Sequence, residues 1–235
     1  MLAVRKFPET RVSIVTELSS GDATQRERAT SLVIEAYRAP VIAVLQRRWN
    51  LQDADAEDLA HDFFAQALTR DWLSRYDPAR GRFRTFLRTC LFSFASTAHE
   101  SAMRQKRGGG ISHVRLDDAS TVAAEEEIAS MFDHEWTRSV LTIALDALRD
   151  ECVARKREST WQVFEAYEVG RAGGSRPTYD ALSLELDLPL TQVTNYLAWA
   201  RGRFREHVLA TLRSLTTSDA EYREEVRALL GPNVV

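Results

Sequence analysis

The stretch GRFRTFLRTCLFSFASTAHESAMRQKRGGG, from Gly81 to Gly110, indicates how the first half of the chain folds. A turn of the DPARG type precedes it, phenylalanines are interleaved with its charges, and three glycines end it. Between Arg80 and Arg107 there are seven Arg or Lys residues and a single acid, Glu100. We therefore predict a basic helix that is the third helix of a bundle.

The composition is that of an ordinary globular protein. The chain has 235 residues, a formal net charge of -3 and 44% hydrophobic residues, and this length suits two small domains. Its longest uninterrupted apolar run, Val41–Leu45, is far shorter than the ~20 residues of a membrane-spanning helix, and no early segment resembles a secretory signal. We expect a cytoplasmic protein without a membrane span. Cys90 and Cys152 have no metal-ligand spacing, so we expect packed thiols and no metal.

Helical periodicity dominates the chain, and the one strand-like stretch is RVSIVTEL at Arg11–Leu18. The composition changes after Gly110, because seven acids between His113 and Glu135 are opposed by Arg115 alone. We therefore predict an all-α fold of two small helical domains joined by an acidic linker. The predicted limits are 1–24 for an N-terminal arm, 25–112 for the first domain, 113–132 for the linker, 133–215 for the second domain and 216–235 for a helical tail.

The tail has a capping-box pair, Ser218 and Glu221, ahead of an apolar helical pattern. Such a helix either packs on the second domain or binds a regulator, and the sequence favours packing on the second domain.

The second domain contains a helix-turn-helix pattern: TYDALSLEL from Thr178, the turn DLPLT, and QVTNYLAWARGRFR ending at Arg205. Leucines of the first helix can pack on one apolar face of the second helix. This packing leaves polar and aromatic residues on the outside of the second helix, near its N-terminus, and arginines follow them in sequence. In DNA-binding helix-turn-helix motifs this end of the second helix enters the major groove. The predicted DNA-contacting residues are Thr191, Gln192, Asn195, Tyr196, Trp199, Arg201 and Arg203. An ordinary pair of packed helices gives the same pattern.

The helix that begins near Asp53 carries acids on one face. Asp58, His61 and Asp62 have i, i+3 and i+4 spacing, so they share a surface opposite the apolar residues. The same residues fit a solvated acidic half-helix. The adjacent His and Asp also suggest a metal phosphohydrolase, but that chemistry needs further His and Asp ligands at matching spacing, and none stands out.

Binding of a single-stranded nucleic acid uses a basic surface for phosphates and flat or apolar side chains for unstacked bases, and the third helix offers both. The phenylalanines alone fit an ordinary core, and Phe83, Phe86 and Phe94 favour that interpretation. The basic residues predicted to contact nucleic acid are Arg80, Arg82, Arg84, Arg88, Arg104, Lys106 and Arg107.

Five segments, in this order, resemble the extracytoplasmic-function sigma factors of bacterial RNA polymerase. They are FPETR at Phe7–Arg11, DAEDLAHDFF at Asp55–Phe64, DPARGRFRTFL at Asp77–Leu87, RQKRGGG at Arg104–Gly110 and LPLTQVTNYLAWAR at Leu188–Arg201. Together they cover nearly the whole chain.

The resemblance implies a non-enzymatic initiation subunit without a cofactor. Its first domain would dock on the polymerase clamp helices through the positions Asp55, Asp58, His61 and Asp62, and would melt the minus-ten promoter element. Its second domain would read the minus-thirty-five element while bound to the polymerase flap. The linker acids would mimic nucleic acid in the RNA path of the polymerase, whereas by themselves they also fit solvated disorder. An anti-sigma factor stays open as a further partner.

Two other functions compete with this one, a free-standing helix-turn-helix regulator and a helical protein-binding adaptor. An acidic and a basic face on one bundle favour the sigma factor, because a repressor needs no polymerase-docking face. The chain departs from the family at Asp187, where the turn usually has glycine; aspartate tolerates a left-handed backbone.

Overall fold

Eight α-helices make up most of the part of the chain that this computed structural model describes, namely residues 17–18, 22–70, 72–106, 118–170 and 176–231. They are α1 (Ala23–Trp49), α2 (Asp53–Thr69), α3 (Phe83–Lys106), α4 (Asp118–Ala154), α5 (Glu158–Phe164), α6 (Tyr179–Glu185), α7 (Leu190–Leu215) and α8 (Asp219–Leu230). The described residues contain no β-strand, so the all-α prediction is confirmed. Of the strand-like stretch, only Glu17 and Leu18 are described, and both are helical. Residues 1–16 and 19–21 of the predicted arm lie outside the described residues.

The chain divides into two compact units. The first comprises Met1–Ser139 and Arg213–Val235, and the second comprises Val140–Leu212.

The core of the first unit is built from α1, α2 and α3. The side chain of Asp22 caps α1 by accepting hydrogen bonds from the backbone N–H groups of Thr24 and Gln25 at 2.8 and 3.3 Å. Residues at helical spacing along these three helices are fully buried, as the sequence pattern predicts: Val33, Tyr37, Val41, Val44, Phe63, Phe83, Leu87, Leu91 and Ala95. The packing of these residues determines which faces of α3 are left outside the core.

Helix α4 begins inside the predicted acidic linker. Residues 113–117 lie outside the described part, whereas the linker residues from Asp118 onward are helical. Ile128 and Phe132 are buried, and the Phe132 ring stacks on Tyr37 with a centroid separation of 6.2 Å. Apolar residues at helical spacing therefore anchor this acidic stretch in the first unit. The limits drawn for the domains and the linker stay a prediction.

The predicted packing of the tail on the second domain is wrong. Ser218 does cap α8, accepting from the Glu221 backbone N–H at 3.2 Å, but α8 belongs to the first unit. The Glu221 carboxylate accepts from the backbone N–H of Phe83 at 2.9 Å and from that of Thr217 at 2.8 Å. Glu221, which is distant in sequence, thus supplies the hydrogen-bond acceptor for a backbone N–H in the first turn of α3.

The second unit has the predicted helix-turn-helix. Asp187 has φ 51°, so the turn before α7 has a left-handed backbone at this aspartate. Leu182 of α6 packs in one buried cluster with Val193 and Leu197 of α7. A second buried cluster, to which Ala200 belongs, holds α7 against the end of α4 and α5.

Candidate nucleic-acid interface

A cavity of about 610 Å³ lies between the end of α2, the following loop and α3. Two turns of 3-10 helix, Leu73–Arg75 and Pro78–Arg80, shape this loop. Gly81 has φ 143°, a backbone conformation that favours glycine. The cavity therefore lies between a short irregular connection and α3.

Aromatic and basic side chains line the cavity together. The ring of Trp72 lies 6.1 Å from that of Phe94, measured between centroids, and Phe86 contributes a third aromatic group. Arg70 and Arg75 supply positive charge, and both are exposed. This volume lies within the usual range of ligand pockets, roughly 300–1,000 Å³. Aromatic faces receive unstacked bases and arginines bind phosphates, so the lining suits a single-stranded nucleic acid.

Polar groups complete the lining. Gln66 and Ser93 offer hydrogen bonds for a base edge. Burial raises the pKa of the Cys90 thiol, which also faces the cavity, and the charge of Arg75 partly offsets this effect. Cys90 is therefore a neutral thiol at physiological pH.

Sequence reasoning missed the loop residues Arg70, Trp72 and Arg75. The signal that could have revealed them is the alternation of basic and aromatic residues in RDWLSRYDPAR, just before the quoted stretch. In the sequence this signal is weaker than the run of basic residues on and beside α3.

The basic residues predicted on and beside α3 differ in exposure and in whether they form ion pairs. Arg80 is exposed and Arg88 is half-buried, and neither forms an ion pair within the described part of the chain. Arg104 and Lys106 lie near the end of α3, and Arg107 lies outside the described residues.

Arg82 and Arg84 are both engaged by acids of α8. Arg82 donates through Nε and Nη2 to Glu224 Oε2 at 3.1 and 2.9 Å. Arg84 is buried, with its Nε 3.3 Å from Glu225 Oε1 and its guanidinium 4.9 Å from the centroid of the Trp136 ring. Arg84 therefore has the contacts of a structural side chain.

The acidic face of α2 points to solvent. Asp55, Asp58, His61 and Asp62 are all exposed, while the neighbouring Ala60 and Phe63 are buried. Neither His61 nor Asp62 belongs to a group of three or more potential metal ligands among the described residues. The structure thus brings the four predicted docking residues together on one accessible surface.

The model of the family described as sigma-70 region 2 matches residues 33–102. The match runs from α1 to α3 and includes the acidic face of α2 and every residue that lines the cavity. Residues 33–102 of this chain are therefore a sigma-70 region 2 domain. The matched domain supports a sigma-factor role in promoter recognition. Comparisons with curated proteins and with solved structures found no match.

In the second unit, three predicted base-reading residues are accessible. Thr191, Gln192 and Asn195 are exposed on the first turns of α7. Tyr196 is half-buried and packs against the cluster around Leu182.

Trp199 and the two predicted arginines of α7 have protein partners. Trp199 packs against the second buried cluster, and the guanidinium carbon of Arg157 lies 4.5 Å from its ring centroid. The Nε of Arg201 donates to Glu168 at 2.6 Å, and the Nε of Arg203 donates to Glu151 at 2.9 Å.

Glu151 anchors this part of the second unit. Burial raises the pKa of its carboxyl, but hydrogen bonds from Arg203 and His207 outweigh that effect, so its pKa lies below the ordinary value. The His207 Nε2 lies 2.8 Å from Glu151 Oε2.

No helix within the described ranges is long and apolar enough to cross a membrane.

Proposed function

We propose that this protein is a sigma factor of the extracytoplasmic-function group, which binds core RNA polymerase, directs it to a promoter and melts the DNA. The observation that carries the proposal is the aromatic and basic cavity within the sigma-70 region 2 segment. Melting exposes bases one at a time, and a cavity of this size, lined by Trp72, Phe86 and Phe94, accommodates an unstacked base.

Phosphates of the melted strand would contact the cations around this cavity. Arg70 and Arg75 lie at its wall, and Arg80 and Arg88 would extend the positive surface. These contacts carry no sequence information but fix the strand in register. Sequence preference then comes from the cavity.

The exposed face of Asp55, Asp58, His61 and Asp62 is the proposed docking surface for the clamp helices. Negative charge on a rigid helix suits a basic partner, and charge complementarity raises the rate of association. Docking and DNA binding thus use different surfaces of one unit, as an initiation factor requires.

The second unit is the proposed reader of the upstream promoter element. Gln192 and Asn195 are exposed where α7 begins, and such amides can bond an adenine edge bidentately. With Arg201 and Arg203 paired to carboxylates, this unit is expected to bind DNA weakly by itself. Tethering by the polymerase raises its effective concentration at the promoter.

Run-off transcription by purified bacterial core RNA polymerase, with and without the full chain, tests the proposal. Promoter-specific transcripts should require both components. Arg70→Ala combined with Arg75→Ala should reduce open-complex formation, and the slope of log affinity against log salt should fall by about 0.7–0.9 per lost phosphate contact. Arg28→Ala is the matched control, because Arg28 is equally exposed but lies on α1 away from the cavity. Transcription that does not depend on the protein would refute the proposed function.

A further inference from the structure

Three carboxylates of α8 meet the beginning of α3, where the positive surface starts. Glu221 accepts from the backbone N–H of Phe83 at 2.9 Å, Glu224 binds Arg82, and Glu225 binds Arg84 at 3.3 Å. Arg82, Arg84 and the Phe83 backbone N–H therefore each have an acid from the tail as partner.

Arg82 immediately precedes α3, whose first residue is Phe83. It lies four residues before Phe86, and the cavity lining continues along α3 through Cys90, Ser93 and Thr97. A strand that runs from the cavity toward the start of α3 would pass Arg82.

The ion pairs of α8 differ in burial. The side chains of Arg84 and Glu225 are 10% and 3% exposed, so separating them would leave a charge without solvent. The side chains of Arg82 and Glu224 are 36% and 53% exposed, so either can exchange partners at little cost. Glu225 thus holds α8 in place, while the Glu224 pair can open without moving the helix.

Glu224 is hydrogen-bonded to the Nε and Nη2 edge of the Arg82 guanidinium, an edge that can also bind phosphate. Its Oε2 accepts from both Nε and Nη2 of Arg82, at 3.1 and 2.9 Å. Arginine presents the same fork of N–H donors to phosphate oxygens. Carboxylate and phosphate therefore cannot use that edge together.

We propose that Glu224 is a built-in competitor of nucleic-acid phosphate for Arg82, so that helix α8 lowers the affinity of the first unit for single-stranded DNA. The inference rests on the proposed function, because it assumes that nucleic acid passes along the cavity face. Binding of a strand exchanges the Arg82–Glu224 pair for an Arg82–phosphate pair and leaves α8 anchored by Arg84 and Glu225.

The experiment measures binding of the full chain to a fluorescently labelled single-stranded oligonucleotide of mixed sequence by anisotropy over a range of salt concentrations. Glu224→Gln should bind about two- to fivefold more tightly than wild type, with nearly the same log–log salt slope, because Arg82 contacts a phosphate in both bound states. Glu35→Gln removes the same charge from an exposed residue of α1 that forms no ion pair within the described ranges. It should bind nearly as wild type does.

Arg82→Ala separates competition from a general effect of charge. In that background, Glu224→Gln should have no further effect, because the contested cation is absent. If Glu224→Gln matches Glu35→Gln, or keeps its gain without Arg82, the competition does not exist even though the protein binds nucleic acid. If no variant binds nucleic acid, the proposed function fails and the inference fails with it. Circular dichroism of each variant verifies that the helices are intact.

Discussion

Replacement of Arg84 by alanine tests whether this arginine is structural. Its side chain is 10% exposed, with Glu225 Oε1 at 3.3 Å and Asp133 Oδ1 at 3.6 Å. Alanine would leave Glu225 in place at 3% exposure, with Arg82 at 3.6 Å as its remaining cation. Removing one partner of a buried ion pair costs about 3–5 kcal/mol. Because Arg82 still offsets part of the charge, we expect the first unit to lose about 3 kcal/mol.

This loss should depend on pH. Burial raises the pKa of Glu225, and Arg84 and Arg82 lower it only in part. A carboxyl whose pKa is higher in the folded than in the unfolded protein contributes to stability at pH values below its pKa in the unfolded protein. This contribution is lost as pH rises through its pKa in the folded protein. Without Arg84 the folded pKa is raised further. The deficit of Arg84→Ala should therefore be largest near neutral pH and shrink as pH falls toward the ordinary glutamate value of 4.5.

Urea denaturation of the full chain, followed by far-UV circular dichroism, gives the free energy of unfolding. In thermal unfolding the midpoint should fall by about 6–12 °C, since about 1 kcal/mol corresponds to about 2–4 °C at this size. Arg88→Ala is the matched control: Arg88 is half-buried one turn along α3 and has no ion pair in the described part of the chain. A loss for Arg84→Ala no larger than that of the control, or one that is equal at all pH values, would refute the reasoning.

Asp58→Ala combined with Asp62→Ala is expected to abolish co-purification with core RNA polymerase and leave the circular dichroism unchanged, because exposed acids contribute within about 0.5 kcal/mol to stability; wild-type binding would show that the docking face is misassigned. Gln192→Ala and Asn195→Ala should each change the preferred upstream base at a cost of about 1–3 kcal/mol, measured by holoenzyme transcription from a library randomised across the upstream element. Identical preferences would exclude α7 as the reader. Glu151→Gln should destabilise the second unit above the ordinary glutamate pKa of 4.5, because the lowered folded pKa contributes stability there that is lost as pH falls through it. Urea denaturation at several pH values measures this, and a deficit that persists at low pH would contradict it.

Much of the local structure could be predicted from the sequence. Apolar spacing located the helices, Ser218 marked the start of α8, and Asp187 marked the left-handed turn before α7. Each of these depends on residues within a few positions of one another, so a local pattern is sufficient. The exposed acidic face of α2, which is the proposed docking surface, was also predictable as a shared face, because i, i+3 and i+4 residues share a side of any helix.

The roles of individual charges depended on distant parts of the chain. Arg82 and Glu224 are 142 residues apart in sequence, and no periodicity connects them. A run of basic residues looks uniform in sequence, yet folding buries Arg84 in an ion pair and leaves Arg80 exposed. Burial decides the difference, since a charge removed from water needs a fixed partner and an exposed charge can exchange partners.

The sequence by itself determined the all-α fold, the helix-turn-helix and the family motifs, because these follow from short-range spacing and residue type. Only the tertiary structure decided that the loop residues Arg70, Trp72 and Arg75 face α3 across one cavity. It also decided that the tail supplies acids to the first unit. The physical reason is that electrostatic and packing partners are chosen by distance in space, and that distance exists only after the helices have packed.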